Sequence, residues 1–273
     1  AFVEAQYGEH LDNWGGQYDE MNGLIFFNTK YSGLYTVTEN EIEITDIADL
    51  TEEQQNMIRF MVSKGFFSVE DGVFAPNKVL SRYDFATALV GMFFALDREA
   101  VCSFDDVPKD SSYYPYVASA EQSNIAAGVS SNKFAGDRMV TKEEVVAFCT
   151  RTLIDKKGYE VAEDIENYAN YTDRDSIAAW ALPEVALAEQ LGLIVSGGEF
   201  GPKGEITRLE SVEVLYRLFM MLYEVSPAKA QFYEDTAGND LPIVPIVVGL
   251  GAVGVGAYLY MNKKGINQKK DKK

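Results

Sequence analysis

Apolar residues return at helical spacing in three separate stretches of the chain. Phe85, Leu89, Phe93 and Leu96 form one stripe, Val145, Cys149 and Leu153 a second, and Leu215, Phe219 and Leu222 a third. A recurrence of three or four residues puts such side chains on one helix face, where they can be buried together. Just ahead of each stripe a hydroxyl residue is followed three positions later by an acid: Ser81 and Asp84, Thr141 and Glu144, Thr207 and Glu210. That is the capping-box pattern, in which the hydroxyl accepts from an orphan helix amide and the acid reaches back to the cap. A further helical stretch precedes each of these starts, roughly Thr51 to Lys64, Tyr113 to Asn124 and Ser176 to Leu191, ending near Gly65, Gly128 and Gly192. The pattern predicts three units, each helix, loop, helix.

The helix starts are copies of one another: Leu80-Ser81-Arg82-Tyr83-Asp84, Val140-Thr141-Lys142-Glu143-Glu144 and Ile206-Thr207-Arg208-Leu209-Glu210. Their basic residues lie 60 and then 66 positions apart, and Phe74, Phe134 and Phe200 stand eight residues before them. Self-similarity at a nearly fixed period marks a supersecondary unit copied in tandem, each copy completed by its neighbours. The basic residue itself is unexpected. At the first helical position it meets the positive end of the helix dipole, a cost of about 0.3–1 kcal/mol. Free helix-start amides beside a cation would form an anion site, which is a reason to keep it. The plainer alternative is that Arg82, Lys142 and Arg208 are solvated or paired with a neighbouring carboxylate.

The other long apolar feature has a different length. No charged residue occurs over 21 positions from Leu241 to Met261, enough for a helix across about 30 Å of hydrocarbon. Six lysines against Asp271 give the following tail a charge of +5, so a chain of −18 carries −23 before the span. The positive-inside tendency then keeps residues 262–273 cytoplasmic and exports the acidic body as a single-pass membrane protein. Ala252 and Gly256 form a small-xxx-small pair that could support helix association. Leu241-Pro242 begins like a cell-wall sorting motif but lacks its Thr-Gly, and the acidic flank Glu234-Asp235 to Asp240 argues against a tail-anchored cytosolic protein. Ala1 is compatible with a cleaved signal peptide or with a fragment. Residues 1–41 form an extension that does not match the repeats, with a short strand over Gly33 to Thr38, and 226–240 reads as a stalk.

Composition narrows the chemistry. A strongly acidic chain lacks the basic face that nucleic acid requires. His10 is the only histidine, so no Cys/His metal cluster is available, and the short acidic runs cannot supply the twelve-position spacing of a Ca²⁺ loop. Cys149 falls on a buried stripe, and it and Cys102 are read as free, buried thiols. No phosphate loop, nucleophile elbow or histidine-based acid/base pair occurs, so the chain is read as non-catalytic, with no cofactor.

The repeated residues resemble the S-layer homology repeats of bacterial surface proteins. Their pattern is matched by Phe104-Asp105-Asp106-Val107, Tyr114 and Phe134 in the second copy, and by Tyr171-Thr172-Asp173, Trp180, Gly192-Leu193 and Phe200-Gly201-Pro202 in the third. The first copy has Thr45-Asp46-Ile47, Gly65-Phe66 and Gly72-Val73-Phe74-Ala75-Pro76. The resemblance covers about residues 42–225, divided as 42–98, 99–157 and 158–225. It implies an all-α body of pseudo-threefold symmetry, one helix per repeat in a central bundle, joined to the single transmembrane helix at 241–261. It also implies inter-repeat grooves that hold an acidic, often pyruvylated, cell-wall glycopolymer or a peptidoglycan-linked polymer. Arg82, Lys142 and Arg208 would meet its carboxylate, with Asp46, Asp106, Asp173 and Trp180 contributing to the grooves. Lys142 lacks the guanidinium fork, and the second copy has Ala135-Gly136 where the loop proline belongs, so one groove would be silent. The expected function is attachment at the bacterial cell surface; the alternative is a membrane-anchored scaffold that keeps the fold, has lost the polymer and binds another envelope protein.

Overall fold

The computed structural model describes residues 2–7, 10–15, 17–19, 22–29, 35–38, 42–161, 165–223, 246–250 and 255–260. The chain divides into two compact units, one of residues 42–62 and 66–225, the other of residues 1–41, 63–65 and 226–273.

The first unit is helical. Its helices are α1 (Glu52–Ser63), α2 (Arg82–Phe93), α3 (Tyr114–Gln122), α4 (Lys142–Lys157), α5 (Leu182–Gln190) and α6 (Arg208–Tyr223). The helices α2, α4 and α6 start where the capping boxes predict. Ser81 and Asp84 bond reciprocally, as do Thr207 and Glu210, and Glu144 accepts from the Thr141 amide at 3.0 Å. These three helices pack against one another pairwise and form the centre. Phe85, Leu89, Val145, Cys149, Leu153 and Leu215 are completely buried there, as the stripes require. The first helix of each unit lies on the second helix of the preceding one: α3 on α2, α5 on α4, and α1 on α6 through Phe60 against Tyr216 and Phe219.

Two expectations change in detail. The helix expected from Ser176 begins only at Leu182, because Pro183 lacks an amide proton and belongs in a first turn. Arg174–Ser176 forms a single 3₁₀ turn instead. Gly65 and Gly192 end their helices with φ +74° and +76°, but in the second repeat Asn124, at φ +55°, takes that place. Gly128 has another task, since a Cβ there would come within 2.5 Å of the Phe104 ring and the Ser130 carbonyl oxygen.

The second unit departs further from expectation. Instead of one short strand, its N-terminal part contributes β1 (Phe2–Tyr7), β2 (His10–Gly15), β3 (Gln17–Asp19), β4 (Leu24–Thr29) and β5 (Tyr35–Thr38). A three-stranded sheet has the order β2-β1-β5, all antiparallel. The expected transmembrane helix over 241–261 is replaced by β6 (Ile246–Leu250) and β7 (Val255–Tyr260), which pair with each other and extend a sheet of order β3-β4-β7-β6. Ile246, Val247, Val248 and Val255 are β-branched and glycines lie among them, so the helix propensity of this apolar stretch is low. Among the described residues no helix is long and apolar enough to cross a membrane. The all-α description therefore holds for the first unit only. The stalk and the lysine tail lie outside the described residues.

Candidate functional site: three basic residues in a closed ring of repeats

The three repeats are closed into a ring by backbone hydrogen bonds between the segments that precede α2, α4 and α6. The Val140 amide donates to the Leu80 carbonyl at 3.0 Å, Ile206 to Val140 at 3.4 Å, and Leu80 to Ile206 at 3.1 Å. One step further along, the first amide of each helix reaches the next loop: Arg82 donates to the Arg138 carbonyl, Lys142 to Gly204 and Arg208 to Lys78. The second amides of the helices do the same, Tyr83 to Gly136, Glu143 to Pro202 and Leu209 to Pro76. The helix starts are thus not free anion sites, because neighbouring carbonyls satisfy the amides that an anion would use. What remains for a ligand is the side chains.

Each aromatic loop is held by its own acid. Asp46 accepts from the Phe74 and Ala75 amides at 2.8 and 2.7 Å, Asp106 from Phe134 and Ala135 at 2.8 Å each, and Asp173 from Phe200 and Gly201 at 2.8 Å each. The residue after each phenylalanine has positive φ, +56° at Ala75 and Ala135 and +66° at Gly201, which turns consecutive amides toward the carboxylate. The two amide bonds hold the Asp173 carboxyl below its usual range. These aspartates shape the loops into which the basic side chains reach.

The basic side chains cross from one repeat into the loop of the next. Arg208 donates from Nε to the Phe74 carbonyl at 2.7 Å and from Nη2 to that of Ser68 at 2.6 Å, with its guanidinium 4.5 Å from the Phe74 ring centre. Arg82 repeats this geometry, donating from Nε to Phe134 and from Nη2 to Ala127, both at 2.9 Å, over the Phe134 ring at 4.7 Å. Lys142 lies half-buried with Nζ 5.3 Å from the Phe200 ring. The three sites differ in charge compensation. Arg82 is 1% exposed and its Nη1 meets Glu144 Oε1 at 2.8 Å, whereas among the described residues neither Arg208 nor Lys142 has a carboxylate at ion-pair distance. Burial pushes the Arg82 guanidinium below its ordinary range, opposed by the Glu144 charge. For Glu144, burial works against ionisation, but the Arg138 hydrogen bond and the Arg82 charge prevail and hold its carboxyl below the usual range.

The remaining candidates are scattered. Trp180 is 49% exposed, with the Arg151 guanidinium 5.9 Å from its ring and Arg151 fastened to Glu184. Sequence reasoning did not single out Tyr83 and Tyr113, whose rings stack 4.6 Å apart beside Arg82, nor the pairing of Lys203 with buried Glu143. Both pairs join residues of different repeats, and no local pattern announces them. Cys149 is buried, as its stripe requires, but Cys102 is only partly so; both are free, and the Cys102 sulfur accepts from the Phe104 amide. Among the described residues no cluster of His, Cys, Asp or Glu is placed to hold a metal ion.

Comparison with known proteins agrees with the repeat geometry. The chain is 27% identical over 220 residues to an amylopullulanase of Thermoanaerobacterium thermosulfurigenes, covering 78% of this chain and 11% of that protein. It is 25% identical over 182 residues to the surface-layer 125 kDa protein of Lysinibacillus sphaericus, covering 64% and 15%. A cell surface protein of Thermoanaerobacter kivui is 31% identical over 133 residues, 48% and 17%. The chain thus spans less than a fifth of the length of these relatives. Residues 103–146 and 170–210, within the second and third repeats and including their loops and helix starts, match the S-layer homology domain, and the chain is similar to surface-layer and cell-surface proteins.

Proposed function

We propose that the helical unit is a non-catalytic attachment module that holds its protein at the bacterial cell surface by binding an acidic cell-wall glycopolymer in the grooves between repeats. The observation that carries this reading is Arg208. Its guanidinium is oriented by two carbonyls and an aromatic face, yet among the described residues no carboxylate reaches ion-pair distance, and the charges of Asp84, Asp46 and Glu70 act on it only from further off. A fixed guanidinium with no carboxylate bonded to it suits a sugar-borne carboxylate. Lys142 would take the same role more weakly, and Asp46, Asp106 and Asp173 would act by shaping the loops. The exposed Trp180 ring offers a face on which a sugar can stack. The similarity to surface-layer and cell-surface proteins supports the location. For the uncharged run 241–261 and its lysine tail we infer membrane contact from composition alone; failure of the chain to float with lipid vesicles of anionic composition would overturn it.

Retention on purified cell-wall sacculi tests the main reading. Arg208→Ala should weaken retention by about 10–100-fold, the equivalent of a lost charge-assisted hydrogen bond of about 1.5–3 kcal/mol. A second reading, a scaffold that keeps the fold without the polymer, draws on Arg82, whose charge is already answered by Glu144. It predicts no retention of the parent chain, and capture of an envelope protein instead.

A further inference from the structure

Arg82 and Arg208 meet their loops alike through two of the three guanidinium nitrogens. In both, Nε and Nη2 donate to carbonyls of the adjoining loop, and the guanidinium lies over the loop phenylalanine. The difference is at Nη1. The helix that starts after the Phe134 loop is α4, and its third residue, Glu144, reaches Arg82 Nη1 at 2.8 Å. The helix that starts after the Phe74 loop is α2, and its third residue is Asp84, one methylene shorter. Asp84 keeps its carboxylate on Ser81 and on the Tyr113 hydroxyl, and forms no ion pair with Arg208. The Arg82 groove is also covered. The Tyr83 ring stacks on Tyr113 at 4.6 Å with 2° between planes, and its hydroxyl donates to the Asp106 carbonyl at 3.2 Å. Arg138 bonds the same Glu144 oxygen, which keeps the acid charged and in place.

We propose that Glu144 is a built-in occupant of the groove between the first and second repeats: its carboxylate sits where an acidic ligand would sit on Arg82, shuts that groove, and leaves Arg208 as the guanidinium open to anions. The proposal rests on the attachment reading for its consequence, the number of polymer contacts per chain, but its structural content can be tested without polymer. Glu144→Asp copies the residue that α2 already uses at this place, so the capping bond to Thr141 can survive.

The decisive measurement is arginine modification by phenylglyoxal on the full chain, read residue by residue by peptide mass spectrometry. In the parent protein Arg208 should react and Arg82 should be protected; in Glu144→Asp the modification of Arg82 should rise to the level of Arg208. Glu144→Gln, which keeps the length and removes the charge, is the second variant should the first lose its near-ultraviolet circular dichroism. Arg82 protected in a folded variant, or reacting as fast as Arg208 in the parent, would overturn the proposal. Retention on sacculi then separates the two readings. If Arg208→Ala abolishes binding and adding Glu144→Asp restores it in an Arg82-dependent way, both stand. If binding is lost and not restored, the Glu144 proposal fails while attachment stands. If the parent chain is never retained, attachment fails, and the modification pattern still decides the role of Glu144.

Discussion

Ser211 is completely buried in α6, and among the described residues its hydroxyl has no hydrogen-bond partner. Leaving a buried hydroxyl unsatisfied costs about 1–3 kcal/mol, so Ser211→Ala should raise stability by about 1 kcal/mol, seen as a higher urea midpoint at unchanged slope. A lower midpoint would show that the hydroxyl is engaged. Glu144 gives a prediction of pH dependence. Its carboxyl is held below the usual range, so its contribution is present above the unfolded value of about 4.3 and is lost as pH falls through the folded value. Stability should therefore drop as pH falls below about 4.3, and Glu144→Gln should make that drop shallower. An identical slope in the variant would remove Glu144 from the acid response.

The loops and helix starts act together as elements. Gly136 shows why the second repeat lacks the loop proline found at Pro76 and Pro202: a Cβ at Gly136 would lie 2.1 Å from the Tyr83 ring, which is itself buried against Tyr113. Gly136→Ala should displace that stack and destabilise the helical unit by about 1–3 kcal/mol, the range for overpacking. Near-ultraviolet circular dichroism would register the loss of tyrosine order, and an unchanged spectrum would show that the ring gives way at no cost. The missing proline is thus a packing requirement of the loop after Phe134, where it meets the Tyr83 ring. The capping boxes were legible because they are local in sequence, whereas the partners of the helix-start amides lie more than fifty residues away and were not.

For the whole molecule, charge sets the long-range behaviour. A chain of −18 would repel the proposed acidic polymer at distance, while the proposed contact at Arg208 would act at short range. Salt screens exposed charges over about 8–10 Å, so retention on sacculi should rise between low ionic strength and about 0.15 M. A steady fall from low salt onward would mean that exposed cations, not grooves, hold the polymer. The ring of Leu80, Val140 and Ile206 also makes the repeats interdependent, since removing one leaves the other two with unpaired backbone groups. Such a unit is expected to melt in a single step.

The sequence by itself determined the parts whose cause is local. Stripes at helical spacing, hydroxyl–acid caps and the repeat period gave the helices α2, α4 and α6, their buried faces and the tandem plan, because these depend on residues within one or two turns of each other. Glycine and asparagine at positive φ ended helices for equally local reasons. Only the tertiary structure decided what each basic residue meets. Arg82 and Arg208 stand in the same motif, yet one is bonded by Glu144, while at the other the equivalent Asp84 keeps its carboxylate on Ser81 and Tyr113. The apolar run near the C-terminus shows the same limit: its length and lack of charge are visible in the sequence, but pairing of β7 with β4 on one side and with β6 on the other placed it in strands. Such outcomes depend on distances across repeats and on partners far along the chain, which no local pattern contains.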